Sequence, residues 1–348
     1  MFGCKVTVLV AGSWGTALAN VLADNGHQVS LWTRDSEQAE EINREHRNHK
    51  FLGEHPIHPN VHATTSMEDA VAGTKMVLLV APTSAMREVA RKLKPYVQPD
   101  MLIIHASKGF ETETLLTMSA VLAEELPQMD PGMIGVLSGP SHAEEVIIRS
   151  PTTIVVAAER IEAAEAAQDL LINPYFRVYT NPDVKGVEVA GALKNIIALG
   201  AGMSDGLGFG DNAKAALITR GLAEIARVGT AMGANPLTFA GLSGVGDLVV
   251  TCTSRHSRNW RAGYAVAEGK SLETVLEEMG MVVEGVKTTK AAHSLSERFN
   301  IDMPIALQLY CVLFEGKAPK EAVKDLMGRV GTHELEEIAQ TNKEKWLR

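Results

Sequence analysis

The sequence predicts an α/β fold in two parts: an N-terminal, mostly parallel sheet domain and an all-α domain behind it. Three observations lead there. Residues 5–19, KVTVLVAGSWGTALA, run from a β-branched apolar stretch (Val6, Val8, Leu9, Val10) through Gly12 into a helical pattern. Apolar runs then alternate with helical ones through the first half, as a parallel sheet covered on both faces requires. Behind Asn181-Pro182-Asp183 the pattern is helical almost to the end.

A chain of 348 residues is long for one core, so two domains are expected, 1–182 and 183–348. Strands are expected at 28–33, 75–81, 101–106, 133–137 and 152–157, and helices at 36–46, 84–93 and 113–125. Segment 47–62, rich in His, Asn and Pro, reads as a long loop. The second half reads as helices at 187–202, 212–232, 260–268, 272–279, 287–299 and 305–314. The 187–202 helix is crowded with glycine and alanine. Glycine weakens a helix by about 1 kcal/mol each, so its use there implies close helix packing or the close approach of a ligand.

The net charge of −9 argues against a nucleic-acid or anionic-membrane surface, both of which need a basic field. An anionic substrate would need a local basic pocket. The three cysteines, Cys4, Cys252 and Cys311, are far apart and in no metal-like cluster, which fits reduced thiols and a cytoplasmic location. The N-terminus enters a strand at once, without a secretory apolar segment, and no apolar run is expected to reach the roughly 20 residues of a membrane span.

Strand, glycine turn and helix at the start form the opening of a Rossmann-like dinucleotide-binding unit. The turn directs backbone N–H groups and a helix N-terminus at one spot, where a pyrophosphate fits. The fingerprint G-x-G-x-x-G reads Val10-Ala11-Gly12-Ser13-Trp14-Gly15, with valine in place of the first glycine. Valine is costly where the turn wants unusual backbone angles, so the expectation is weaker dinucleotide binding. After the second strand come Arg34, which suits the 2′-phosphate of NADP, and Asp35, which keeps NAD open; both also fit a surface ion pair.

Lys108, in Ala106-Ser107-Lys108-Gly109, follows a strand at the sheet edge where ligands of such folds bind. Ser138-Gly139-Pro140-Ser141-His142-Ala143-Glu144-Glu145 also follows a strand; it reads as an anion-binding turn or an ordinary helix cap. Lys194 lies among apolar and small residues, where burial would lower its pKa and make it a proton carrier near neutral pH; a snorkelling lysine fits the same spacing. Ser257-Arg258-Asn259 reads as a phosphate site or a helix cap. Glu284 reads as a contact to cofactor hydroxyls or an exposed acid. These residues alone also fit a dehydrogenase of another small carbonyl acid, or a sensor that binds NAD(P) without turnover.

Together the blocks GSWGTALA (12–19), ASKG (106–109), LSGPSHAEEV (137–146), GALKNIIALGAG (191–202), GDNAKAALITRGLAEI (210–225), GVGDLVVTCTSRHSRNWRAG (244–263) and MVVEGVKT (281–288) resemble the bacterial NAD(P)-dependent sn-glycerol-3-phosphate dehydrogenases over essentially the whole chain. The resemblance implies reversible reduction of dihydroxyacetone phosphate to sn-glycerol 3-phosphate with NADPH or NADH and no metal. It implies that Lys194 and Lys108 are catalytic, and that Lys108, Gly139, Ser141, Lys194, Asp247, Ser257, Arg258 and Asn259 bind substrate. It places Ser13, Trp14, Arg34, Phe51, Lys108, Ala143, Arg258, Val282 and Glu284 at the cofactor; Phe51 stands where the family commonly has another aromatic residue. A homodimer and a supply role in phospholipid synthesis are expected on the same ground.

Overall fold

In a computed structural model, which describes residues 3–280, 282–331 and 333–334, the first half is built on one eight-stranded sheet. Its elements in chain order are β1 (Lys5–Leu9), α1 (Ser13–Asp24), β2 (Gln28–Trp32), α2 (Ser36–Glu45), α3 (His49–Leu52), β3 (Val61–Thr64), α4 (Met67–Val71), β4 (Met76–Leu79), α5 (Met86–Leu93), β5 (Leu102–His105), α6 (Met118–Glu125), β6 (Ile134–Ser138), α7 (Ala143–Val146), β7 (Thr152–Ala157), α8 (Ile161–Leu171) and β8 (Phe176–Asn181). The strand order is β3-β2-β1-β4-β5-β6-β7-β8. All neighbours run parallel except β6 and β7. The first six strands in this order form a doubly wound nucleotide-binding sheet.

The central strands are apolar because both faces are covered. Val6, Val8, Leu78 and Ile104 pack with α1, α7 and α8 on one side. Leu9, Val77, Leu79 and Ile103 pack with α5 and α6 on the other. The two strands not expected from sequence lie at the ends of the sheet. β3 is four residues long, and β8 alternates buried and exposed residues as an edge strand does. The 47–62 loop contains the short α3, and β3 begins at Val61. Helix α6 starts at Met118 rather than at 113. Leu115 takes a left-handed φ of 61°, and Phe110 pairs with Thr117 in an isolated antiparallel bridge, so 113–117 turns instead of coiling.

From Val184 the described chain is helical: α9 (Val184–Gly206), α10 (Asp211–Ala231), α11 (Asp247–Thr253), α12 (Arg258–Ala267), α13 (Leu272–Met279), α14 (Glu284–Phe299), α15 (Pro304–Phe314) and α16 (Pro319–Met327). Helix α9 is the axis of this half and is buried from Val187 through Ser204. Its glycines explain themselves by close crossing. A Cβ on Gly202 would lie 1.9 Å from the Trp260 carbonyl oxygen, and one on Gly263 of α12 would lie 2.0 Å from that of Leu199. Contrary to expectation, this run is long and apolar enough to cross a membrane by composition, yet its apolar window is wholly buried inside the protein.

Polar contacts tie the halves together. Glu188 of α9 sits 2.9 Å from Nε2 of His105 on β5 and accepts a 2.8 Å bond from the Ser119 N–H of α6. Glu284 accepts from the Thr83 hydroxyl at 2.9 Å. The lysine cluster described next lies on the same seam.

Candidate active site

Three elements bring two amines onto one carboxylate. Lys108 is carried by the loop that leaves β5, and Lys194 by the middle of α9. Asp247 opens α11, which a π-helical segment, Leu242–Gly246, feeds directly. That segment can form because Gly244 lets the chain cross itself: a Cβ there would lie 2.0 Å from the Phe239 carbonyl oxygen. Lys194 Nζ donates to Asp247 Oδ1 and, at 2.7 Å, to Thr251 Oγ1. Thr251 is one helical turn beyond Asp247, and its hydroxyl donates to the Asp247 carbonyl at 2.6 Å, which leaves oxygen lone pairs to face the amine. Lys108 Nζ donates to Asp247 Oδ2 at 2.7 Å and to the Gly139 carbonyl at 3.1 Å.

Lys194 is 5% exposed and Asp247 1% exposed, so this charge cluster is nearly dry. Burial is the largest influence on Lys194 and pushes its amine down to about 7, with Lys108 adding repulsion and Asp247 opposing both. Burial acts to raise Asp247, but the two lysines outweigh it and hold the carboxyl below its ordinary range. An ammonium poised near neutrality in a low-dielectric site can give or take a proton at physiological pH.

Helix α12 opens with a guanidinium whose nearby acids are Glu144 and Glu284. Arg258 is half-buried, and burial lowers its pKa. Its Nη1 makes a long 3.4 Å contact to the Val282 carbonyl, and no carboxylate pairs with it among the described residues. Beside it, Ser257 caps α12 by accepting from the Trp260 N–H at 3.2 Å, and its own O–H remains a donor. Asn259 donates to Asn195 Oδ1 at 2.9 Å and accepts from the Gly285 N–H at 2.9 Å, so its carboxamide also braces α9, α12 and α14. Gly139 takes a φ of 137°, and Ser141 donates back to its carbonyl at 3.0 Å.

At the sheet edge, α1 begins at Ser13 with Gly12 as an N-cap that supplies no side-chain bond. Space over Gly12 is open, whereas a Cβ on Gly15 would lie 2.2 Å from the Val10 carbonyl oxygen. The first-turn N–H groups of α1 are thus unclaimed by a cap and reachable, which is what a pyrophosphate needs. Val10 itself adopts a φ of 83°, the left-handed region that a β-branched residue rarely enters. Ser13 is buried, Trp14 half-buried against the core, and Ala143 buried at the start of α7. Arg34 is exposed just past β2. Asp35 is committed to capping α2 through the Gln38 N–H at 3.2 Å.

Arg34 and Phe51, on α3, do not bond to the lysine–aspartate cluster; they belong to the far end of the edge. Val282 is 36% exposed. Glu284 is held by Thr83, a residue the sequence reading missed; Pro82-Thr83 directly after an apolar strand was the available signal. A cavity of about 420 Å³ lies apart from all of these, between α9, α10, α15 and α16, and is lined mainly by apolar side chains such as Leu217, Ile305 and Leu309.

Comparison with known proteins agrees with this architecture. Residues 5–164 match the family model described as NAD-dependent glycerol-3-phosphate dehydrogenase N-terminus, and residues 183–324 match the corresponding C-terminus. The chain is 57% identical over 334 residues to a Bacillus pumilus protein named glycerol-3-phosphate dehydrogenase [NAD(P)+], covering 96% of this chain and 97% of that one. It is 60% identical to a Bacillus thuringiensis protein of the same name, covering 96% and 98%. Among solved structures, the glycerol-3-phosphate dehydrogenase of Coxiella burnetii superposes with a TM-score of 0.90 at 37% identity, covering 94% of this chain and 100% of that one. The Saccharomyces enzyme superposes with a TM-score of 0.81 at 29% identity, covering 94% and 99%. With both family models matched and relatives this similar along nearly their full length, the chain belongs to the NAD-dependent glycerol-3-phosphate dehydrogenase family.

Proposed function

We propose that the seam between sheet and helices reduces dihydroxyacetone phosphate to sn-glycerol 3-phosphate, with Lys194 as the proton donor. The single observation that carries this reading is the pair of amines, Lys108 and the buried Lys194, that converge on the buried Asp247. When bound, a nicotinamide dinucleotide would supply the hydride. As negative charge develops on the substrate oxygen, the Lys194 ammonium meets it and gives up its proton. Lys108 stabilises the same charge from the sheet side. Asp247 keeps both amines in place and keeps Lys194 from being wholly deprotonated by burial.

The substrate phosphate falls to Arg258, the Ser257 hydroxyl and the second amide proton of Asn259, with Gly139 and Ser141 closing the pocket. Binding energy from that remote dianion fixes the carbonyl for reaction. The N–H groups at Ser13 and Trp14 would take the pyrophosphate of the dinucleotide, and Phe51, Ala143, Val282 and Glu284 would line its groove. With Asp35 occupied as a helix cap, Arg34 is the charge offered at the ribose, which favours NADPH over NADH. No metal enters this scheme. The reading also divides labour at residue 182, dinucleotide in front and substrate behind, in a cytoplasmic homodimer that supplies glycerophospholipid synthesis.

The test is loss of reduced-cofactor absorbance with dihydroxyacetone phosphate. Turnover is expected with both cofactors, with the lower KM for NADPH, and inorganic phosphate should compete with substrate. Turnover of an unphosphorylated carbonyl acid that phosphate fails to inhibit would replace this reading with that of a different dehydrogenase.

A further inference from the structure

Helix α9 buries two charged side chains, Glu188 and Lys194, and only the second has a part in the scheme above. The Glu188 carboxylate gathers its partners from the sheet half. Nε2 of His105, the last residue of β5, sits 2.9 Å from Oε1, with the His105 side chain 0% and the Glu188 side chain 3% exposed. The Ser119 N–H donates to Oε1 at 2.8 Å and the Ser119 hydroxyl to Oε2 at 2.5 Å. Ser119 stands in the first turn of α6, whose N-cap Thr117 makes no side-chain capping bond, so α9 supplies the cap that α6 lacks. Burial acts to raise the Glu188 carboxyl, but His105 and the Ser119 donors outweigh it and hold it below its ordinary range. From this anchor the helix and the chain that leaves β5 run side by side to the amines. Gly191 and Asn195 follow Glu188 at i+3 and i+7, on one face of α9. A Cβ on Gly191 would lie 3.6 Å from Lys108 Cγ, and the Asn195 amide reaches the Lys108 carbonyl at 3.5 Å. Seven helical residues rise about 10.5 Å, and three residues of chain reach about 10 Å. The Glu188–His105 and Asn195–Lys108 contacts are therefore the two ends of one seam.

We propose that Glu188 is a positioning residue for the reduction: its carboxylate fixes the axial register of α9 against β5 and α6, and with it the meeting of Lys194 and Lys108 on Asp247. The proposal rests on the proposed function, because it needs those two amines to share a reaction. Lys108 rides on the chain that leaves His105, and Lys194 on the helix that carries Glu188. A slide of α9 along the sheet would part them. Apolar packing resists a slide poorly, because it is non-directional, and at 3.5 Å the Asn195 contact is too long to do so. A buried carboxylate is a costly way to join two halves, and apolar residues of similar volume often hold them as well. What a buried polar contact adds is a single register. Register depends on the reach of the side chain rather than on its charge, and that distinction can be tested.

The experiment compares the whole enzyme with Glu188→Asp, which keeps the charge on a side chain one methylene shorter, and Glu188→Gln, which keeps the length without the charge. The Gln amide can still accept from Ser119 and bond to His105. Readouts are kcat and KM for dihydroxyacetone phosphate, Kd for NADPH and the urea midpoint, with rates taken where each variant is folded. In Glu188→Asp, kcat should fall about ten- to a hundredfold, as a misplacement of about 1 Å allows. KM should stay within about threefold and NADPH affinity within about twofold. Glu188→Gln should keep kcat within about threefold of wild type. Ser119→Ala removes one bond of the clasp and leaves α9 intact, so it tests the same claim if Glu188→Asp fails to fold; it should lose about threefold in kcat at unchanged KM. A folded Glu188→Asp with wild-type kcat, whatever its urea midpoint, would make the contact purely structural and overturn the proposal. Equal losses in the Asp and Gln variants, or an unchanged kcat in Ser119→Ala, would also overturn it. A wild-type enzyme that ignores dihydroxyacetone phosphate would instead overturn the proposed function itself, before any variant is compared.

Discussion

Lys194→Ala is expected to lower kcat by roughly a thousandfold, within the range for removing a positioned general acid, while NADPH affinity stays within about twofold. Two losses combine in that variant. The proton donor disappears, and so does the ammonium that offsets charge on the reacting oxygen. Truncation also leaves Asp247 with Lys108 as its one cation, so some stability is lost along with activity. A partly unfolded protein would mimic some of the activity loss, so Lys194→Arg is the companion. Arginine restores the charge but does not deprotonate near neutrality, so it should bind cofactor normally and remain slow. Near-normal turnover in either variant would remove Lys194 from the chemistry.

Val10→Gly should have the opposite sign. Val10 sits at a φ of 83°, where strain costs about 1–3 kcal/mol. The turn cannot readily relax: the Val10 N–H is bonded to the Trp32 carbonyl at 2.9 Å, and its carbonyl accepts from the Gly12 N–H at 3.0 Å. The side chain gains some compensation by packing on the core beneath the sheet. Glycine would relieve the strain at an entropic cost of about 0.5–1 kcal/mol. The expected net result is a fold more stable by about 1 kcal/mol in urea titration. NADPH affinity should stay within about twofold by calorimetry, because the turn is left-handed before any ligand arrives and the strain is common to free and bound protein. Equal stability would mean that this turn absorbs valine without strain.

How much of this was legible in the sequence depended on how local each signal was. The β1–Gly12–α1 opening could be read because the apolar period changes from strand to helix within one turn. The helices α9, α10, α13, α14 and α15 were readable for the same reason. The edge strands β3 and β8 were not, because neither carries a continuous apolar run. The antiparallel turn from β6 to β7 has no sequence mark at all.

Among the site residues, Lys194 stood out because charge is rare in so apolar a helix. What the amine touches was not readable, since Asp247 is 53 residues away. The clasp of Thr83 and Glu284 joins residues 201 apart, and no spacing rule spans that distance. Ser257 and Asp35 illustrate a different limit. Ser257 was read as a phosphate contact or a helix cap, and Asp35 as a ribose contact or part of a surface ion pair; both side chains cap helices, and only three-dimensional placement reveals that the Ser257 hydroxyl still has a proton to offer.

The central claim is that the buried amine of Lys194 carries the proton, and its ionisation gives the claim a direction. Reduction needs the ammonium, so kcat/KM for dihydroxyacetone phosphate should hold at low pH and fall as pH rises through about 7. Oxidation of glycerol 3-phosphate needs the free amine, so its kcat/KM should rise through the same pH. The most direct measurement is therefore the pair of pH–rate profiles on one enzyme preparation. Mirror-image limbs that share an inflection near pH 7, absent in Lys194→Arg, are the predicted result; profiles that run flat through neutrality, or limbs that survive in Lys194→Arg, would contradict it.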